Sequence, residues 1–157
     1  MIEILEYPAR TLLGLARPFI PALEPGSNGP QVIGPLWADM SKVFFGLNAT
    51  DNEYPIGVGA MWPSERAGEM IYFAGYEVAE ATEGLGGLEV LRIPAGKYAA
   101  VTHTASMESL PHTVAKFYSE LLPNSGLHRR DGVDLELYIE TGAPDFSSTA
   151  IIAAPVL

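Results

Sequence analysis

The order of predicted elements repeats once within this chain of 157 residues. Each half begins with two apolar strands joined by a Pro-Ala turn, at Pro8-Ala9 in the first half and Pro94-Ala95 in the second. In each half a helix with one apolar side follows, and then two further apolar strands. Two such repeats, at about 1–80 and 86–157, predict a single pseudo-twofold domain in which two helices pack on a shared sheet.

Eight strands and two helices are predicted from the spacing of the apolar residues. We expect strands at 1–7, 11–19, 54–61, 69–78, 88–93, 97–104, 134–140 and 148–156, which form four consecutive hairpins. We expect helices at 31–47 and 107–122, where apolar residues recur every three or four positions. The pattern predicts an α+β fold with a mainly antiparallel eight-stranded sheet and two main helices.

The charge balance is acidic, with 9 Lys and Arg residues against 19 Asp and Glu residues and a net charge of −10. Binding to nucleic-acid phosphates or to anionic lipids requires a basic surface, so neither partner is expected. The absence of Cys removes disulfides, thiolate metal sites and a cysteine nucleophile. The sequence has no apolar run of 18 residues and no export signal, so we expect a cytoplasmic protein without a membrane span.

The usual catalytic and cofactor motifs do not occur. The spacing of His103, His112 and His128 fits no metal-binding motif, so no metal or other cofactor is expected. We interpret Ser106 or a neighbour as the cap of the second helix, with His103 nearby at the surface, and not Ser106 as a nucleophile with its base. The glycine-rich residues 84–87 precede a strand instead of a helix, which favours a linker over a phosphate-binding loop.

Glu136 is the residue with the most chemical interest. Alternation along the strand places Glu136, Tyr138 and Glu140 on one face. Such an acidic face is commonly the solvent-exposed side of an antiparallel sheet. Alternatively, Glu136 is a carboxylate at the floor of an aromatic pocket, where it would attract a cation and each aromatic face would add about 0.5–2 kcal/mol. The residues by themselves leave both interpretations open.

Several segments resemble the GyrI-like small-molecule-binding domain, the effector domain of many AraC-type and MerR-type multidrug regulators. In the second half the resemblance rests on LEVLRIPAGKYAAVTHT at 88–104, Leu110-Pro111, LLPNSG at 121–126 and LELY at 135–138. In the first half it rests on Leu36-Trp37, on Tyr54 with Gly57, and on the pattern Y-x-A-G-x-E-V at 72–78. The resemblance therefore spans nearly the whole chain.

This resemblance implies a duplicated fold with a central, aromatic-lined groove. It implies that Glu136 occupies the family's acidic position, which meets cationic, lipophilic ligands. By the same comparison the candidate walls of the groove are Trp37, Tyr54, Tyr72, Phe117 and Tyr138. The chain has no room for the helix-turn-helix domain of most of these regulators, so direct DNA binding is not expected. It resembles the stand-alone members, including those found on integron cassettes.

The predicted function is therefore that of a stand-alone effector-binding domain. It would bind a cationic, amphipathic, drug-like molecule between aromatic walls, with Glu136 neutralising the ligand's charge. One alternative is a hydrolase of strained or electrophilic small molecules, in which Glu136 is the general base and apolar surroundings raise its pKa. Another is a protein-interaction module, since the family's namesake is similar to an inhibitor of DNA gyrase. The partner would then be a basic protein, and a homodimer is also left open.

Overall fold

The computed structural model describes residues 1–51, 55–104, 106–139 and 149–157. Within these ranges the strands are β1 (Glu3–Tyr7), β2 (Arg10–Phe19), β3 (Gly57–Pro63), β4 (Met70–Val78), β5 (Glu89–Ile93), β6 (Gly96–His103), β7 (Asp134–Ile139) and β8 (Thr149–Pro155). The main helices are α1 (Gly29–Leu47) and α2 (Leu110–Lys116). The described strand pairs are antiparallel, namely β1 with β6, β2 with β4, β2 with β5, β3 with β4, β6 with β8 and β7 with β8. The predicted α+β class, with eight strands and two main helices, is confirmed.

The chain divides into two compact units. The N-terminal unit is Arg10–Ile93, and its sheet has the strand order β5-β2-β4-β3. The C-terminal unit combines Met1–Ala9 with Pro94–Leu157, and its sheet has the order β1-β6-β8-β7. The unit boundaries differ from the limits of the predicted repeats, because β1 belongs to the C-terminal unit and β5 to the N-terminal unit. A single domain built from two repeats stays a prediction.

Two of the four predicted hairpins are wrong. Strand β1 pairs with β6, and β2 pairs with β4 and β5, so the Pro-Ala turns do not join paired strands. A two-residue hairpin needs positive φ in its turn, which suits Asn and Gly, whereas proline fixes φ at a negative value. Pro8-Ala9 and Pro94-Ala95 therefore carry the chain from one unit to the other. The two remaining predicted hairpins, β3 with β4 and β7 with β8, are confirmed.

Helix α1 covers one face of the sheet in the N-terminal unit. Its buried residues Leu36, Met40 and Phe44 recur every four positions, as a helix with one apolar side requires. They form a core with residues of β2, β4 and the segment before β5, namely Leu13, Phe19, Tyr72, Ala74 and Leu88. Neither α1 nor any other helix in the described ranges has the length and apolarity that a membrane crossing requires.

The second helical region is not a single α-helix, although its extent agrees with the prediction. A 3₁₀ turn at Met107–Ser109 leads into α2, and a π-helical turn follows at Phe117–Leu121. The π turn is marked by the Leu122 N–H, which donates to the Phe117 carbonyl at 2.8 Å. Such wider turns change the direction of the side chains they carry and often occur at functional sites. Here Phe117 enters the core of the unit, while Tyr118 reaches the start of β7.

His103 is buried, so its placement at the surface was wrong. Its Nε2 lies 2.9 Å from the Ser106 carbonyl oxygen and its Nδ1 lies 2.7 Å from the Thr113 Oγ1. Because a carbonyl only accepts, Nε2 donates to Ser106, and in the neutral ring Nδ1 accepts from the Thr113 hydroxyl. Ser106 directly precedes the helical region, as predicted, and its carbonyl accepts from the Ser109 N–H at 3.1 Å, while Ser109, the residue before α2, makes no side-chain capping bond. His103 ties the end of β6 to the beginning of α2.

Strands β2 and β4 come unusually close where Gly14 lies opposite Gly75. A Cβ atom on Gly14 would lie 1.9 Å from the Ala74 carbonyl oxygen, and one on Gly75 would lie 2.9 Å from the Leu13 carbonyl oxygen. Both neighbours are backbone atoms of a paired strand, so neither can move without disturbing the sheet. The two glycines therefore allow a separation that a side chain would prevent.

Replacing Gly14 by Ala is expected to lower the free energy of unfolding by about 1–3 kcal/mol, the usual cost of overpacking a well-packed interior. The matched control is Gly46→Ala in α1, where a Cβ would meet nothing within 4 Å. In a helix that change should be neutral or stabilising by up to about 1 kcal/mol. Urea unfolding of the two variants measures both values. Equal stabilities for the two variants would contradict the close approach.

Candidate functional site

Glu136 lies on a buried face of β7. Only 8% of the residue is exposed, so the interpretation of this face as the solvent-exposed side is wrong for Glu136. Its cross-strand partner is Ile152 of β8, and directly opposed residues point to the same face of a sheet. Ile152 packs in one core with Leu110 of α2 and with Phe117. Glu136 is therefore on the side of the sheet that the second helical region covers.

The carboxylate of Glu136 accepts a hydrogen bond from the Tyr138 hydroxyl at 3.2 Å. An ionised carboxylate loses its hydration when it is buried, and this cost must be offset by hydrogen bonds or by an opposite charge. A neutral hydroxyl offsets less of the cost than a cation does. The arrangement of Glu136 beside Tyr138 thus joins a buried negative charge to an aromatic side chain, two groups that both attract cations.

Asp134 is a second buried carboxylate on the same face, two positions before Glu136. It accepts a hydrogen bond from the Tyr118 hydroxyl at 2.9 Å and forms an ion pair with Arg129. Burial raises the pKa of Asp134, and the Arg129 charge and the Tyr118 hydrogen bond offset part of that rise. Asp134 thus has a positive charge supplied by the chain itself.

Tyr118 connects these groups. Burial raises the pKa of its hydroxyl far above the ordinary value, and the negative charges of Asp134 and Glu136 raise it further. The hydroxyl therefore stays protonated and acts as a donor. The Glu136 carboxylate is therefore close enough to the Tyr118 hydroxyl for its charge to affect the pKa of that hydroxyl. The Arg129 guanidinium lies 5.9 Å from the centre of the Tyr118 ring, as a cation–π contact. We call Arg129, Asp134, Glu136, Tyr118 and Tyr138 the carboxylate cluster.

A second group of functional interest lies in the N-terminal unit, and we call Trp37, Ser41, Tyr72 and Tyr76 the aromatic cluster. The Trp37 indole N–H donates to the Tyr72 hydroxyl at 3.0 Å, and the hydroxyls of Tyr76 and Ser41 are 3.0 Å apart. The rings of Trp37 and Tyr76 meet edge to face, with centroids 5.9 Å apart. These contacts use the polar atoms of the rings and fix their orientation.

Gly57 makes room for the indole of Trp37. It lies opposite Tyr76 in the pairing of β3 with β4. A Cβ atom on Gly57 would lie 3.3 Å from the Trp37 ring and 3.5 Å from the Tyr76 ring. A glycine inside a strand often marks such a close approach. Gly57, which the resemblance paired with Tyr54, is therefore part of the support for Trp37.

Five of the six candidate ligand residues lie in the described ranges, two in the N-terminal unit and three in the C-terminal unit. Trp37 and Tyr72 are in contact in the N-terminal unit, and Glu136 and Tyr138 are in contact in the C-terminal unit. Phe117 also belongs to the C-terminal unit, and its ring meets that of Tyr118 edge to face at 4.9 Å. Tyr72 and Phe117 are 0% exposed, whereas Trp37 and Tyr138 are partly exposed. Tyr54 and Glu140 lie outside the described residues.

Sequence reasoning missed the roles of Asp134, Tyr118 and Arg129. Asp134 carried a usable signal, because the alternation that placed Glu136 and Tyr138 on one face places Asp134 there too. Tyr118 lies within the predicted second helix, and the π turn that carries it leaves no mark in the apolar spacing. Arg129 carried no signal, since its approach depends on a backbone bridge between its own segment and Val156.

Comparison with known proteins identifies the family. The sequence model of the GyrI-like small molecule binding domain matches residues 1–153, and the chain belongs to that family. The transcriptional regulator BrlR of Pseudomonas aeruginosa is 32% identical to this chain over 137 residues. That match covers 87% of this chain and 47% of BrlR, so the chain spans about half the length of this relative.

Solved structures share the fold. SAV2435 bound to tetraphenylphosphonium has a TM-score of 0.75 at 14% identity, and the match covers 100% of this chain and 94% of that one. An integron cassette protein from the mobile metagenome of Vibrio cholerae has a TM-score of 0.65 at 19% identity, with coverage of 99% and 95%. At these identities the likeness establishes the fold. Together with the family match, it makes this chain a small-molecule-binding domain of the GyrI-like type.

The buried state of Asp134 predicts a dependence of stability on pH. Its pKa is raised on folding, so the folded chain holds this proton more tightly than the unfolded chain. The stability that the carboxyl contributes is therefore fully present below its unfolded pKa of about 3.9 and is lost as the pH rises through the folded value. The stability of wild type relative to Asp134→Asn should fall over that range. Urea unfolding at several pH values measures the difference, and an increase with pH would contradict the prediction.

Proposed function

We propose that this chain binds a cationic, amphipathic small molecule and that Glu136 neutralises the ligand's positive charge. The observation that carries the proposal is the burial of the Glu136 carboxylate beside Tyr138 on a helix-covered face of β7. A buried carboxylate is stabilised by an arriving cation more than by any neutral group. Membership of a small-molecule-binding family supports the proposal, and so does a neighbour of the same fold bound to tetraphenylphosphonium, an aromatic monocation.

An aromatic ring beside the carboxylate would contact the apolar body of the ligand. Trp37, whose indole N–H donates to the Tyr72 hydroxyl, is kept as a candidate contact on the strength of the family resemblance. Tyr138 lies beside the charge-neutralising carboxylate. Tyr72 and Phe117, which are fully buried, would hold the contacting rings from behind. Tyr54 is kept as a candidate contact on the strength of the family resemblance.

The broader role we propose is that of an effector sensor. BrlR, which matches 87% of this chain, is named a transcriptional regulator. A ligand can change regulation only if its binding free energy differs between two conformations of the protein. We therefore expect ligand binding to be the primary activity and any effect on transcription to follow from it.

Tetraphenylphosphonium is the probe that tests the proposal, because its charge sits at the centre of an apolar body. Calorimetric titration should give binding to wild type and a loss of about tenfold or more in Glu136→Gln, equivalent to roughly 1.4 kcal/mol or more. The matched control is Glu89→Gln, which removes the same charge from an exposed position on a strand. It should change the affinity less than about twofold, since exposed charges are screened.

Tetraphenylborate provides a second control, because it has nearly the same shape as tetraphenylphosphonium and the opposite charge. It should bind far more weakly than the cation to wild type, and the gap should narrow in Glu136→Gln. Equal affinity of the cation for wild type and Glu136→Gln would overturn the role of Glu136. Equal binding of the two ions to wild type would overturn the preference for cations.

A hydrolase is the second candidate function. A buried carboxylate is also the group that activates water as a general base, and desolvation of Glu136 beside Tyr138 favours that chemistry. Incubation with styrene oxide would detect it, because activated water opens the strained ring to a diol that chromatography separates. Under the binding proposal, diol forms no faster with the protein than without it. Diol formation by wild type that is lost in Glu136→Gln would instead make the chain an enzyme.

A further inference from the structure

Arg129 is held in place by the backbone at the end of β8. It forms an isolated antiparallel bridge with Val156. The residues on either side are also tied to this end of the chain, since the Arg130 N–H donates to the Pro155 carbonyl and the Leu157 N–H donates to the His128 carbonyl. The position of the Arg129 side chain is thus set by a fixed segment, which directs the guanidinium to Asp134.

The surroundings of this guanidinium are those of a bound cation. It pairs with the Asp134 carboxylate and lies 5.9 Å from the centre of the Tyr118 ring. A carboxylate together with an aromatic face is the combination that recognises organic cations. The Arg129 side chain is 48% exposed and that of Asp134 only 11%, so the guanidinium is the solvent-exposed partner of the pair and the carboxylate is the buried one.

Asp134 and Glu136 stand on the same face of β7, about 6.6 Å apart along the strand at the usual rise per residue. Each accepts a hydrogen bond from one tyrosine, Asp134 from Tyr118 and Glu136 from Tyr138. The two carboxylates are thus equally buried, and a tyrosine hydroxyl donates to each of them. The ion pair with Arg129 cancels the negative charge of Asp134, so it reduces the charge that this face offers to a ligand.

We propose that Arg129 is a specificity-determining residue that restricts the site to ligands with one positive charge. It does so by occupying Asp134, the carboxylate that a second positive charge on the ligand would otherwise approach. This inference rests on the proposed function and adds the charge class of the ligand. The guanidinium repels the second charge of a dication and so lowers its affinity. A monocation placed at Glu136 is farther from the guanidinium, and its affinity is lowered less.

A matched pair of probes isolates the charge. Tetraphenylphosphonium carries one positive charge, and p-xylylenebis(triphenylphosphonium) carries two on the same kind of aryl phosphonium groups. Calorimetric titrations of both probes are made at the same pH and ionic strength, and the measured quantity is the ratio of the two affinities. In Arg129→Gln this ratio should shift toward the dication by about 15- to 30-fold, as expected for unit charges about 8–10 Å apart near a protein surface.

Three further variants serve as controls. Arg129→Lys keeps the positive charge and should keep the wild-type ratio. Arg66→Gln removes the same charge from an exposed loop and should leave the ratio unchanged. Combining Arg129→Gln with Asp134→Asn removes both partners, so the gain for the dication should disappear. Thermal unfolding of each variant establishes that the comparison is made on folded protein.

Asp134→Asn keeps the inference testable if Arg129→Gln does not fold. This change leaves the Arg129 charge uncompensated, so it must lower the affinity for the dication more than that for the monocation. The opposite order would overturn the inference. So would an unchanged ratio in Arg129→Gln while tetraphenylphosphonium binding still depends on Glu136, and in that case the proposed function survives. Absence of tetraphenylphosphonium binding to wild type overturns the proposed function and this inference together.

Discussion

The burial of two carboxylates beneath the second helical region is the constraint that the C-terminal unit must satisfy. Charged groups removed from water are costly, and the chain places a tyrosine hydroxyl on each of them. Asp134 also pairs with Arg129. Its tyrosine, Tyr118, comes from the π turn, and the segment that carries Arg129 is fixed by the backbone bridge to Val156. The local irregularities of this unit are therefore the features that hold its charges in place.

The secondary structure was largely predictable because apolar spacing reflects burial on one face. Strand β7 was placed within one residue of its observed end, and α1 within two residues of its observed beginning. What the spacing does not contain is which strand pairs with which. The short Pro-Ala connections suggested local hairpins, yet the conformation of proline excludes the turn that such a hairpin needs. Pairing followed from backbone geometry, which apolar periodicity does not record.

The candidate site was predictable in its acidic residue and not in its network. Alternation identified Glu136 and Tyr138 as neighbours on one face, and the family resemblance favoured a buried role over a solvated one. Asp134 follows the same alternation, so its position on this face was also predictable from the sequence. Arg129 is different, because its contact with Asp134 is created by the path of the backbone past β8. Side chains brought together by such a path have no signature in local sequence.

Strand β1 belongs to the C-terminal unit and β5 to the N-terminal unit, and this arrangement affects the order in which the chain can fold. The N-terminal unit, Arg10–Ile93, is continuous, so its sheet can be completed as soon as those residues have been synthesised. The C-terminal unit must combine the first nine residues of the chain with the last part of it, and β1 must wait for β6. Strand β1 is thus made long before the strand with which it pairs, and the carboxylates of β7 become buried only after the residues through β8 have been synthesised.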